Sequence, residues 1–375
     1  MTPSRRPARL LPRRALPLLL APFVAPALAR ADGAVVVKDL LGREVRLPRP
    51  ARRIVLTQGR HLPALALIHS DPLSLIAGWS ADLRQANAPE YAQLRAHAPG
   101  VDNIPIIGRG PVDTISFEGI LGLQPDLVLL SRFTAGGPDG GLVRRLDAAG
   151  LPCAVIDFFA DPLVDSELSV AILGALIGRS EQAAAFNAYY RTKMDQVAAR
   201  VGSVEPKLPI LVHAHAGGTA CCFSAGSGIF TSMVHAAGGR SIAEGVLTGQ
   251  MGQLSLEYIL SADPYAYVAT GGPFGGARGG ITMGSGDTAQ EARDSLARVI
   301  RSTGLDGLSA VRAGRAHALW HGFNDTPAHY LAVEALARWL HPDRMQGITP
   351  DASLAELNDR FLSIKMQGTY WVDLR

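Results

Sequence analysis

The chain has 375 residues, a formal charge of +3, 47% hydrophobic and 18% charged residues, and three cysteines. The basic excess is local: residues 1–31 hold six arginines and no acid, so the remainder carries 3 − 6 = −3. That balance excludes a nucleic-acid partner recruited by overall charge, and Cys153, Cys221 and Cys222 are too few for a disulfide scaffold.

Residues 1–31 read as a secretory signal peptide. Arg5, Arg6, Arg9, Arg13 and Arg14 precede the apolar run ALPLLLAPFVAPALA, and Ala-Leu-Ala or Ala-Arg-Ala suits cleavage. Pro17, Pro22 and Pro26 argue against a membrane-spanning helix. The expected location is periplasmic, and the arginine pairs leave general secretory and twin-arginine export both open.

VVVKDLLGREVRLPR (35–49) alternates apolar and polar residues around a Gly turn, as a β-hairpin does. RRIVLTQ (52–58), LSLIAGWS (73–80), IPIIG (104–108), DLVLLS (126–131) and LPCAVIDF (151–158) read as strands. Helical patterns fall between them, at HLPALALIHS and FEGILGL. Alternating strands and helices predict an α/β lobe built on a mostly parallel sheet. SELSVAILGALIG (166–178) is helical in pattern. EQAAAFNAYYRTKMDQVAARV follows, without Gly or Pro, and is long enough to span roughly 30 Å at 1.5 Å per residue.

A second lobe starts with the strand EPKLPILVHAHA (205–216). It continues through the helix FTSMVHAAGG, the loop GGPFGGARGGITMGSGDT, and a helix and strand in RSTGLDGLSAVRAGRAHALWH. TPAHYLAVEALARWLHP is an amphipathic helix, and DASLAELNDRFLSI closes the chain. The expected fold is α/β: two lobes of mostly parallel sheet flanked by helices and joined by one long interdomain helix. Their expected bounds are 32–180, 181–204 for the linking helix, and 205–375.

One pattern occurs twice. SFEGILGLQPDLVLL begins at Ser116 and SLEYILSADPYAYVA at Ser255. Ser116 matches Ser255, Glu118 matches Glu257, and Pro125 matches Pro264, at a constant offset of 257 − 118 = 139 residues. That is too long for a solenoid period of roughly 20–50 residues. It suits two similar lobes, with each serine capping a helix and each glutamate in its first turn.

The order of these segments resembles the helical-backbone class of ABC-transporter substrate-binding proteins, which serve iron–siderophores, haem and cobalamin. The resemblance covers about residues 35–363, and the two E-x-I-L-x(4)-P units are its most specific part. It implies two lobes on one rigid helix, ligand in the cleft between them, and little closure. It also implies that Glu118 and Glu257 engage arginine pockets on an inner-membrane permease. As plain helix residues, the same glutamates need only the helix dipole to explain them.

Open α/β sheets bind ligands at the loops beyond their strands' carboxyl ends. That rule selects Arg60, His61, Arg109 and Arg132 (with Phe133) in the first lobe. In the second it selects His215, Arg278, Trp320 and His321. Arginines beside aromatics suit a large, anionic, partly flat ligand, with an iron–siderophore chelate as first choice. Haem, cobalamin and a bare metal or oxyanion are the alternatives. Each arginine read alone is equally a solvated loop charge.

His213 and His215 form His-x-His on a strand and are expected on one face, as half of a metal site or as packed strand-end histidines. Cys221 and Cys222 read as two small buried residues, with a vicinal disulfide as the alternative. A metal-dependent hydrolase using His213 and His215 is the enzyme alternative. The chain has no His-Glu-x-x-His, G-x-S-x-G or P-loop pattern. The expectation is a monomeric, cofactor-free binding protein that is not an enzyme. Its partners are a small-molecule chelate and a permease with its ATPase, with no nucleic acid.

Overall fold

The computed structural model describes residues 33–136 and 141–375; the leader sequence 1–31 lies outside them. Val35–Lys38 and Glu44–Leu47 form the antiparallel hairpin. The first lobe is a wholly parallel five-stranded sheet. Its order is Ile106–Gly108, Ile76–Ser80, Ile54–Leu56, Leu127–Leu130, Cys153–Val155. Leu127–Leu130 is buried along its whole length, as expected of a central strand covered on both faces.

The second lobe is a seven-stranded sheet. Leu208–His213, Ala266–Gly271 and Ala316–Trp320 run parallel at its centre, and Gly239–Ser241 pairs in parallel with Leu208–His213. Three antiparallel strands extend it: Phe223–Ala225, Met251–Gln253 and, on the far edge, Trp371–Asp373. The sequence reading holds none of these three. It also ends the chain on a helix, whereas Pro350–Arg360 is followed by a strap that crosses between the lobes. Ser363 donates through its amide to the Ala66 carbonyl at 3.0 Å, and Gly368–Thr369 pairs with Gly284–Ser285. The helix Ala289–Ser302, absent from the sequence reading, is closed by a capping box between Thr288 and Glu291.

The repeated segments fold alike. Ser116 Oγ accepts the Gly119 amide at 2.9 Å at the head of helix Phe117–Gly122. Ser255 Oγ accepts the Tyr258 amide at 3.2 Å at the head of Leu256–Ala262. Each helix then feeds an interior parallel strand of its own sheet.

Helix Pro162–Leu176 leads into the linking helix Ser180–Val201. The linking helix is not a bare rod. Ala183, Phe186, Tyr189, Tyr190, Val197 and Val201 are buried. They belong to one apolar cluster that contains Ile54 and Leu56 of the first sheet, Val212 and Val268 of the second, and Leu331 and Leu336 of helix Tyr330–Leu340. Tyr189 Oη lies 3.2 Å from Tyr330 Oη, and Tyr190 Oη lies 2.7 Å from His329 Nε2, so the polar tips of this aromatic layer are paired inside the core.

The candidate binding cleft

A cleft of about 630 Å³ opens between the lobes, within the ordinary range for a small-molecule site. Part of its lining comes from turns that follow strands. Gln58 and Arg60 follow Ile54–Leu56, Ser131 and Phe133 follow Leu127–Leu130, and Asp157 and Phe159 follow Cys153–Val155. From the second lobe come His215, Phe274, Trp320, His321 and Asp325.

Of the arginines expected at the cleft, Arg60 lines it and is already engaged. Its Nη1 lies 2.6 Å from Asp325 Oδ2 and its Nε 3.2 Å from Asp82 Oδ2. Asp82 also accepts the Gly59 amide at 2.7 Å, which fixes the turn carrying Arg60. Burial pushes Asp325 up to about 7, against the pull of Arg60. Arg132 is clamped by Asp165 through two bonds of 2.8 and 3.0 Å; its neighbours Ser131 and Phe133 line the cleft in its place. Arg109 lines the cleft, is exposed, and forms no ion pair among the described residues. Arg278 is exposed and stacks over the Phe274 ring at 4.1 Å, with Phe274 itself facing the cleft.

The histidines divide. His61 does not line the cleft; it is a core residue packed edge-on to Phe158 at 5.9 Å, with neither ring nitrogen hydrogen-bonded. Burial lowers its pKa to about 4. The expected common face for His213 and His215 is not formed. The strand ends at His213, and His215 takes a left-handed φ of 48°, which swings its ring away. His213 is buried, with Nδ1 3.0 Å from Tyr267 Oη. His215 stacks on His321 at 3.6 Å and meets Phe274 edge-on at 5.0 Å. His321 is held by Thr270 Oγ1 at 2.7 Å and by Asn324 at 2.9 Å. Burial, helped by Arg278, lowers His215 to about 4, so it presents a neutral imidazole to the cleft.

Trp320 stands edge-on to Phe323 and Tyr370 at 5.3 and 5.2 Å. Its ring covers Gly322 so closely that any Cβ there would collide with it. Cys221 and Cys222, for which the sequence favours two small buried residues and leaves a vicinal disulfide open, are joined as a disulfide. The reading also missed Phe159, Phe223, Phe230, Met251 and Tyr370 as cleft residues. Phe159 was within reach of the same rule, because it follows a strand's carboxyl end. Tyr370 carried no such signal, since it comes from the strap.

The lining is therefore largely apolar, and its charges nearly cancel. Arg60, Arg109 and Lys365 face Asp82, Asp157, Asp325 and Glu90, the last raised in pKa by burial. A two-walled aromatic cleft of this kind holds a large ligand by its faces, with few groups free to clamp added negative charge.

A family model described as "periplasmic binding protein" matches residues 54–319. A cobalamin-binding protein of Halobacterium salinarum is 28% identical over 250 residues, which is 66% of this chain and 61% of that relative. The match thus spans less than two thirds of the curated relative. Among solved structures, the TroA-like periplasmic binding protein FepB of Veillonella parvula aligns with a TM-score of 0.84 at 23% identity, over 91% of this chain and 100% of that one. Molybdate-bound MolA of Haemophilus influenzae gives 0.66 at 17% identity, over 87% and 97%. The heme-binding protein RhuT of Roseiflexus sp. RS-1 gives 0.56 at 21%, over 79% and 100%. These three likenesses establish a shared fold.

Proposed function

The chain belongs to the periplasmic binding protein family, and on that premise we propose that it captures a cobalamin-class metal macrocycle between its lobes and hands it to an ABC importer. Its work is capture and delivery, and no step of catalysis is assigned to it. The observation that carries the ligand class is the state of the arginines. Arg60 and Arg132, the natural clamps for a carboxylate or catecholate chelate, are spent on Asp82, Asp325 and Asp165. What the cleft offers instead is Phe133, Phe274, Trp320 and their aromatic neighbours, with a near-neutral charge balance. The cobalamin-binding relative supports the same choice. An anionic iron–siderophore, first choice from sequence, would have Arg109 and Lys365 as its partners.

Delivery rests on the paired acidic tips. Glu118 is 82% exposed, and Glu257 is exposed on the equivalent helix. Leu121 and Leu260 repeat the same 139-residue offset and are 39% and 42% exposed. Each tip thus offers an acid and an apolar contact side by side. Two such points on two lobes fix orientation where one alone would contribute little.

Calorimetric titration of the mature protein with cyanocobalamin, a ferric catecholate siderophore and haemin tests the ligand. Saturable one-to-one binding of cyanocobalamin is expected. Saturation by the siderophore or haemin, with no heat from cyanocobalamin, overturns the ligand class.

A further inference from the structure

On the opposite face of the second sheet from the interlobe core lies a group that capture does not use. Strand residues alternate, so Leu211 and His213 face one apolar cluster while Val212 faces the other. On the Leu211 side, ligand atoms of His213, Cys221 and Cys222 all fall within 4.8 Å of one another. His213 and Cys222 are fully buried, and Cys221 is half-buried. His213 Nε2 has no hydrogen-bond partner, while Nδ1 is fixed by Tyr267 Oη at 3.0 Å. A buried ring nitrogen left without a partner is costly, and this one belongs to a residue whose ligand atom lies within 4.8 Å of both cysteine sulfurs.

The surrounding turn is rigid. Cys222 exchanges both backbone hydrogen bonds with Leu254, at 3.2 and 2.9 Å. The Gln253 side chain caps the Cys221 carbonyl at 2.6 Å. Gly218 packs so closely on Gly275 that an added Cβ would sit 2.6 Å from its Cα. The three donors are therefore held in place by the sheet and the turn.

We propose that the Cys221–Cys222 disulfide closes a latent soft-metal site, which opens on reduction to a two-thiolate, one-imidazole set for a thiophilic cation such as Zn²⁺ or Cd²⁺. A dithiol reductant breaks the S–S bond. Two electrons and two protons pass to the cysteines while the reductant closes its own disulfide. Metal binding then releases both thiol protons to solvent. Nε2 of His213 supplies the third bond, with Nδ1–H donating to Tyr267 Oη to fix the ring, as an outer-shell acceptor does in zinc sites. Exchange with an oxidised dithiol re-forms the Cys221–Cys222 bond, its own disulfide taking up the two electrons and two protons, and expels the cation by removing two of its three ligands.

Cadmium titration of the full mature chain tests this through the thiolate-to-metal charge-transfer band. After dithiol reduction, one Cd²⁺ per chain is expected, with no band in the oxidised protein. In the Cys221→Ser/Cys222→Ser variant the band should vanish, so any signal left there belongs to Cys153. His213→Asn should weaken cadmium by at least ~10-fold, the lower range for loss of an outer-shell partner. Zinc-edge X-ray absorption of reduced, zinc-loaded wild type needs no variant, and two sulfur and one nitrogen scatterer from the protein are expected. A sulfur-only shell, equal cadmium binding by the oxidised protein, or equal affinity in the His213→Asn variant would each overturn the site.

Discussion

Arg60 of the first lobe and Asp325 of the second meet at 2.6 Å in the cleft, an ion pair that ties the two halves together. Asp325 is 6% exposed and Arg60 35% exposed at their side chains, so the pair is only partly screened. Arg60→Ala leaves the buried Asp325 carboxyl without its cation, so that it must take up a proton or remain an unpaired charge, at a cost of about 1–3 kcal/mol once screening is allowed for. Asp325→Asn in the same background should return part of it. Urea denaturation of the four proteins of this double-mutant cycle should give a coupling of roughly 1–2 kcal/mol, and purely additive effects would show that the pair does not hold the lobes.

The cleft walls are expected to matter more than the arginines. Phe274→Ala, at a side chain 40% exposed, should fold and weaken cyanocobalamin by roughly 10-fold, about 1.4 kcal/mol. Arg132→Ala should leave affinity within about two-fold, because its guanidinium serves Asp165. The reverse order in calorimetry would restore an anionic ligand held by charge.

Delivery and capture should separate. Glu118→Lys together with Glu257→Lys is expected to abolish uptake in cells while ligand affinity in the purified protein stays unchanged. Single reversals should be intermediate, since each exposed acid contributes about 0–1 kcal/mol. Full uptake by the double variant would remove the docking role.

Stability should fall on acidification. His61 and His329 are buried and lowered to about 4 by desolvation, below the ordinary 6.5. Between those values the unfolded chain binds more protons, so their contribution is complete above pH 6.5 and lost as pH drops to 4. For His61, beside Asp82 and Arg60, the full loss is about 3 kcal/mol. His213 and His215 act in the same sense. Asp325 and Glu334, raised to about 7, run the other way: their contribution is present below about 4 and lost as pH rises through 7. With the histidines in the majority, the urea midpoint at pH 5 should lie below that at pH 7.5.

His61 also predicts a gain. Neither of its ring nitrogens has a partner. His61→Leu should therefore be neutral or stabilising by about 1–2 kcal/mol, more at pH 5 than at pH 7.5. A clear loss at both pH values would mean the ring nitrogens are satisfied.

The repeat at offset 139 was legible because capping chemistry is local: serine, first-turn acid and the following strand lie within fifteen residues of sequence. The linking helix was legible for a similar reason, a long stretch free of Gly and Pro. Arg60 was legible as a cleft residue, but its partner Asp325 lies in the other lobe, and no local pattern announces a carboxylate that far away. The strands Phe223–Ala225 and Trp371–Asp373 are three residues each and carry no readable period. Helix Ala289–Ser302 carried a local signal, in Thr288, Glu291 and the apolar Ala292, Leu296, Val299 and Ile300, that the sequence reading passed over.

The apolar cluster that runs from Ile54 through Phe186 to Val268 ignores the boundary between the halves. Heat should therefore melt the molecule in one cooperative calorimetric event, with no plateau between one half and the other. Neither half expressed alone would keep a complete interior. Variation in cargo is then confined to the rim of the cleft, because any change at the bridge is felt by the whole molecule at once.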